Sequence, residues 1–137
     1  MAIAPSTKSI PEKLQMKPGR MVLFVNKPAG YDQILGKLPS GVGVTDHSAK
    51  SVDVIQVFVE NREQLEKELP RLKSLLTSKG MIWVTYPKGT ADVATDINRD
   101  SIAEYATTIG MEGVAIVAID QKWSALRLKV VHPAETA

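Results

Sequence analysis

The chain has no cysteine. That excludes disulfides, thiol nucleophiles and cysteine-ligated zinc or iron–sulfur centres, and it fits a reducing cytoplasm, the expected location. Histidine is nearly as scarce: His47 and His132 are the only two and stand in unrelated contexts, so no cluster has metal-ligand spacing. A surplus of one charge is missing too. Seventeen basic residues against fifteen acidic leave a formal charge of +2, whereas nucleic-acid binding usually shows a basic patch or stripe. No apolar run approaches the roughly 18 residues needed to span a bilayer. No charged segment precedes an apolar one at the N-terminus, so no signal peptide is expected. With nucleic acid and membrane set aside, the expected partner is a small molecule or another protein.

What is present suits a globular domain. The 137 residues are 44% hydrophobic and 23% charged, enough for one core without covalent staples. Residues 1–18 read as a flexible N-terminal arm in which Ser9-Ile-Pro-Glu12 is a capping box for a short helix through Gln15. Residues 19–132 form the single domain, and 133–137 a disordered tail.

Within the domain, Met21–Val25 is an unbroken apolar strand of the kind covered on both faces. Tyr31, Ile34, Leu35 and Leu38 recur at helical spacing, and Val42–Thr45 is a short edge strand. Val52–Val59, rich in β-branched residues, is a second core strand. Asn61 is placed to cap the helix that follows, whose stripe is Leu65, Leu69, Leu72, Leu75 and Leu76. Pro70 interrupts its hydrogen bonding and is expected to kink it, and Gly80 is placed as its left-handed cap. Met81–Tyr86 is a third core strand, Asn98–Ile109 a helix stopped by Gly110, and Gly113–Ile119 a fourth core strand. Ala125–Val131 alternates apolar with basic residues, the pattern of a half-exposed edge strand antiparallel to its predecessor. Strands alternating with helices imply a parallel sheet. The fold class is therefore α/β: a three-layer α/β/α sandwich, mostly parallel, with a C-terminal antiparallel β-hairpin.

In such sheets ligands sit outside the carboxyl ends of the strands. Residues 80–96 carry a strand into a polar loop and on to a helix start, so the candidate cleft is centred there. Lys88 follows Pro87 at the strand end and is placed to receive an anionic group; a solvated loop lysine is the plainer alternative. Thr95, Asp96 and Asn98 come next, and N-capping accounts for at least one of them. Asp100 adds first-turn negative charge and needs no further role. Asp120 and Trp123 flank the final turn. An Asp120–Lys88 pair would either orient a substrate or stand as a surface salt bridge. Trp123 and Trp83 read more simply as packing residues. Asn26 and Tyr31, from the connection after the first strand, complete the candidate ligand-binding set. No catalytic residue is assigned, since His47 beside Asp46 has no nucleophile motif with it.

Two resemblances rest on these residues. The run Leu75-Leu-Thr-Ser-Lys-Gly-Met-Ile-Trp-Val84, within the element order of residues 52–131, resembles the back half of a class I S-adenosylmethionine-dependent methyltransferase, a Rossmann-like fold. Residues 17–131 more closely resemble a family of small bacterial proteins of unknown function, through Lys17-Pro-Gly19, the connection from Asn26 to Tyr31, Trp83-Val-Thr-Tyr-Pro-Lys88, Thr95-Asp96 and Asp120-Gln-Lys-Trp-Ser-Ala-Leu126. The first resemblance implies S-adenosylmethionine as cofactor. Two departures count against it. Asn26-Lys-Pro-Ala-Gly30 replaces the glycine-rich turn that lets backbone approach the cofactor, and Asp46, near the spacing of a ribose-binding acid, follows a strand of at most four residues. Asp32 in the first helical turn also disfavours phosphate there.

The leading expectation is a non-catalytic methyltransferase-like module that binds a small ligand or a protein. The alternative is a reduced methyltransferase or other small enzyme, with Lys88 holding an anionic group and Asp96 or Asp120 orienting or deprotonating the substrate. A homodimer formed by sheet extension along the strand from Ala125 is a third.

Overall fold

The computed structural model describes residues 9–46, 50–88 and 96–131. Its elements are α1 (Ile10–Lys13), β1 (Met21–Val25), α2 (Tyr31–Leu35), β2 (Gly43–Thr45), β3 (Val52–Phe58), α3 (Arg62–Lys73), β4 (Leu76–Pro87), α4 (Arg99–Thr108), β5 (Met111–Ala118) and β6 (Trp123–Val130). They form one six-stranded sheet in the order β2-β1-β3-β4-β6-β5. β1 to β4 are mutually parallel, and β6 lies antiparallel between β4 and β5. The carboxyl ends of β1, β3, β4 and β5 therefore face one side, where the β5–β6 turn also lies.

The two-residue period of each strand splits the core into two layers. On one face Leu23, Val25, Ile55, Val57, Ile82, Val84, Leu126 and Leu128 meet Leu65, Leu69 and Leu72 of α3 and Ile102 and Ala106 of α4. On the other, Val22, Val54, Phe58, Trp83, Trp123 and Ala125 are covered by Leu14, Met16, Tyr31 and Leu35. Helix entries follow from the sequence. Ser9 and Glu12 make the reciprocal capping box of α1, Asn61 accepts from the Gln64 amide at the start of α3, and Asn98 does the same for Ser101 in α4.

Four expectations are corrected. The mobile arm does not extend over residues 9–18: Leu14 and Met16 are fully buried, and the Trp83 indole donates to the Leu14 carbonyl at 2.9 Å. α2 ends at Leu35, capped by Gly36 at φ +77°; Ile34 stays exposed, and within the helix only Tyr31 and Leu35 pack inward. α3 stops at Lys73, well before Gly80. Leu76 is already in β4, paired with Val52, and Gly80 lies inside that strand. Gly80 is needed there for space, because a Cβ would come within 3.0 Å of the Val52 carbonyl oxygen and 2.9 Å of Leu76 Cδ2.

The fourth correction concerns the hairpin. β6 is interior, bonded on both sides, and β5 is the edge. Sheet extension from the Ala125 strand is thus unavailable. The apolar run of β5 suggested a buried strand, yet Val114 and Ile116 are 37% and 47% exposed. The basic residues of β6 suggested an edge, but they sit among paired backbone, and Lys129 comes to 3.9 Å from Glu112 on β5.

Candidate functional site

The chain winds from β1 outward to β2, then back across to β3, so the point where strand order reverses lies between β1 and β3. This is where open α/β sheets place ligands. Here the crevice is spanned by the protein itself. Asn26 takes the left-handed conformation, φ +58°, which asparagine tolerates better than most residues. Its side-chain amide donates to the Phe58 carbonyl across the crevice at 3.4 Å. Lys27 pairs with Asp32 at 2.7 Å and lies 5.4 Å from the Phe24 ring centre. In the connecting turn, the amides of Tyr31 and Gln33 donate to the carbonyls of Pro28 and Gly30.

Beneath this turn runs a buried polar chain. The Tyr31 hydroxyl donates to Gln56 Oε1 at 3.0 Å, and the Gln56 amide donates to the Thr85 hydroxyl at 3.1 Å. Tyr31 stands edge-on to Phe58, and Phe58 edge-on to Trp123, at centroid distances of 4.7 and 5.2 Å. Burial pushes the Tyr31 phenol up to about 12; the Gln56 bond opposes the shift and the charge of Asp120 adds to it. The phenol is accordingly a neutral structural donor at physiological pH.

On the opposite face, at the carboxyl end of β4, lies an open depression of about 340 Å³. Tyr86 on β4 and Lys88 just past its end bound it, with Asn98, Arg99 and Asp100 from the start of α4 and Ile116 and Ser124 from the hairpin. Burial raises the Tyr86 pKa; Arg99 lowers it and Asp100 raises it further. A second hollow of about 500 Å³ lies by α1 and the end of α2, with Lys17 and Lys37 on its rim.

The sequence-level candidates do not share one cavity. Asn26 bridges the crevice, Tyr31 and Trp123 are core residues, and Lys88 borders the depression. Asp96 accepts from the Arg62 amide at 2.7 Å, anchoring the approach to α4 onto the start of α3. Asp120 accepts from the amides of Lys122 and Trp123, holding the hairpin turn. Lys88 continues the β4–β6 ladder through its amide, and no ion pair joins it to Asp120 among the described residues. Thr95, His47 and His132 lie outside the described residues. No cluster of three metal-ligating side chains occurs among the described residues, nor is any described helix long and apolar enough to cross a membrane.

Sequence reasoning passed over Gln56, Thr85, Arg99 and Ser124. For Gln56 a signal existed: it is the one amide within the apolar run Val52–Val59, and a buried polar group needs a partner.

The strand order, with an antiparallel strand inserted before a parallel edge, defines a Rossmann-like, class I methyltransferase-like fold. Solved structures agree. A SAM dependent methyltransferase from Aquifex aeolicus superposes with TM-score 0.65 at 14% identity, over 88% of this chain and 87% of that one. A putative type 11 methyltransferase from Sulfolobus solfataricus gives 0.60 at 12%, over 90% of each. The ribosomal protein L11 methylase from Lactobacillus delbrueckii subsp. bulgaricus gives 0.56 at 13%, over 88% and 74%. At such identities the likeness is one of fold. No curated protein matches the chain in sequence. The model of the family described as "Protein of unknown function (DUF3052)" matches residues 32–132; the chain belongs to that family.

Proposed function

We propose that this protein is a non-catalytic small-ligand-binding module built on a methyltransferase-like core. The observation that carries the reading is the Asn26–Phe58 bridge across the crevice between β1 and β3. S-adenosylmethionine, which the fold implies, would need room and free backbone donors there. The turn is short of such donors. Pro28 has no N–H, the Tyr31 and Gln33 amides are used within the turn, and the Asp32 carboxylate stands in the first turn of α2. β2 is only three residues long and ends at Thr45, level with Leu23, two residues short of the end of β1. The residues present do not fit the group. Freedom from cysteine suits a protein working in a reducing cytoplasm.

The test is a thermal-shift titration of the whole chain with S-adenosylmethionine and S-adenosylhomocysteine. A ligand at about 100 times its Kd adds roughly 2.7 kcal/mol of stability, a readily visible rise in Tm. The expected result is no rise with either compound. A saturable rise in Tm with either compound would overturn the reading and restore the methyltransferase alternative.

A further inference from the structure

We infer that the depression at the amino end of α4 binds a small organic oxyanion, a carboxylate or phosphate ester, whose apolar part lies along Ile116. The inference rests on the ligand-binding reading above and names the chemistry of the ligand.

The first observation is the helix end. α4 has ten residues, and its capping box engages the amides of Asn98 and Ser101. The Arg99 and Asp100 amides have no acceptor among the described residues. Such amides, with the helix dipole behind them, favour an anion. At the equivalent position of α3, the Arg62 amide binds a carboxylate oxygen of Asp96 at 2.7 Å.

The second observation is independent of the helix. Tyr86 is only 6% exposed and lines the depression, yet its hydroxyl has no hydrogen-bond partner among the described residues. No fully buried side-chain polar atom there lacks a partner, so the unbonded hydroxyl opens onto the depression. Burial holds the phenol in its protonated, donating form. A large, otherwise buried side chain thus presents one unused donor beside two unused amides.

Charge and shape narrow the ligand. Lys88 and Arg99 face the hollow against Asp100, leaving one positive charge in excess. Asp100 is itself paired with Arg99 at 3.4 Å, its side chain 86% exposed. The nearly half-exposed Ile116 side chain supplies an apolar wall that a bare inorganic ion would not use. A volume of about 340 Å³ is at the small end of ligand sites.

The experiment is an amide-resolved NMR titration of the whole chain with butyrate, phenyl phosphate and inorganic phosphate, against potassium chloride at matched ionic strength. Butyrate or phenyl phosphate should move the Arg99 and Asp100 amide resonances saturably, with inorganic phosphate weaker. Tyr86→Phe keeps the ring and removes the hydroxyl; it should weaken binding about tenfold or more, the worth of a hydrogen bond to a charged group, at unchanged Tm. Tighter binding of inorganic phosphate would remove the organic part of the assignment. Shifts that merely follow potassium chloride, or equal affinity in Tyr86→Phe, would overturn the site. Neither result bears on the S-adenosylmethionine titration, so the two readings fail separately.

Discussion

Gln56 is fully buried in the middle of β3 and serves two neighbours at once, accepting from Tyr31 and donating to Thr85. Replacing it with leucine keeps the volume roughly constant but orphans two hydroxyls, at about 1–3 kcal/mol for each; urea denaturation of Gln56→Leu should show that loss. The same residues set an alkaline limit. The Tyr31 phenol ionises near 10 when unfolded but at about 12 in the fold. Its contribution is complete below pH 10 and is lost as pH rises toward 12, by about 2–3 kcal/mol at 1.36 kcal/mol per unit. Tyr86 and Tyr105 are shifted in the same direction. Denaturation at pH 9 and pH 12 should show the fall, and Tyr31→Phe should flatten it. At this scale local signals were legible: Ser9, Asn61 and Asn98 cap the helices they precede. Asp96 and Asp120 were legible only as carboxylates near strand ends. That one faces the Arg62 amide, 34 residues away, is a fact of tertiary structure that no local pattern carries.

At the scale of elements, the strands that are buried on both faces were plain, since a continuous apolar run of β-branched residues has one economical use. The end of α3 was not. Leu75 and Leu76 continue the helical phase of Leu65, Leu69 and Leu72, but Leu76 pairs with Val52 and the sheet overrides the local period. The register then slips between Val52 and Val54, and Gly80 returns the strand close against the Val52 carbonyl. Gly80→Ala should cost about 1–3 kcal/mol by overpacking, read as a lowered urea midpoint with unchanged slope. A glycine required as a left-handed cap would instead be rescued by asparagine, which the larger side chain rules out here.

For the whole molecule, the order of the last two strands is what sequence could not give. A hairpin can add either of its strands to the sheet, and the alternation of β6 pointed to the wrong one. Its placement leaves β5 as an edge whose eight residues carry one charge, Glu112. Exposed apolar edges invite pairing with other chains. Val114→Lys, at an exposed edge position, should raise the temperature at which light scattering reports aggregation while leaving the unfolding midpoint within about 0.5 kcal/mol of wild type.

Both tryptophans of the chain, Trp83 and Trp123, lie in the layer covered by the N-terminal segment and α2, and neither touches the layer of α3 and α4. Intrinsic emission from this protein is therefore a one-sided reporter. If the segment around Leu14 lifts away, the Trp83 indole loses its acceptor and meets water. The spectrum then shifts to the red while the ellipticity of α3 and α4 holds. Emission and circular dichroism that part company during unfolding would thus mark the order in which the two faces of the sheet are uncovered.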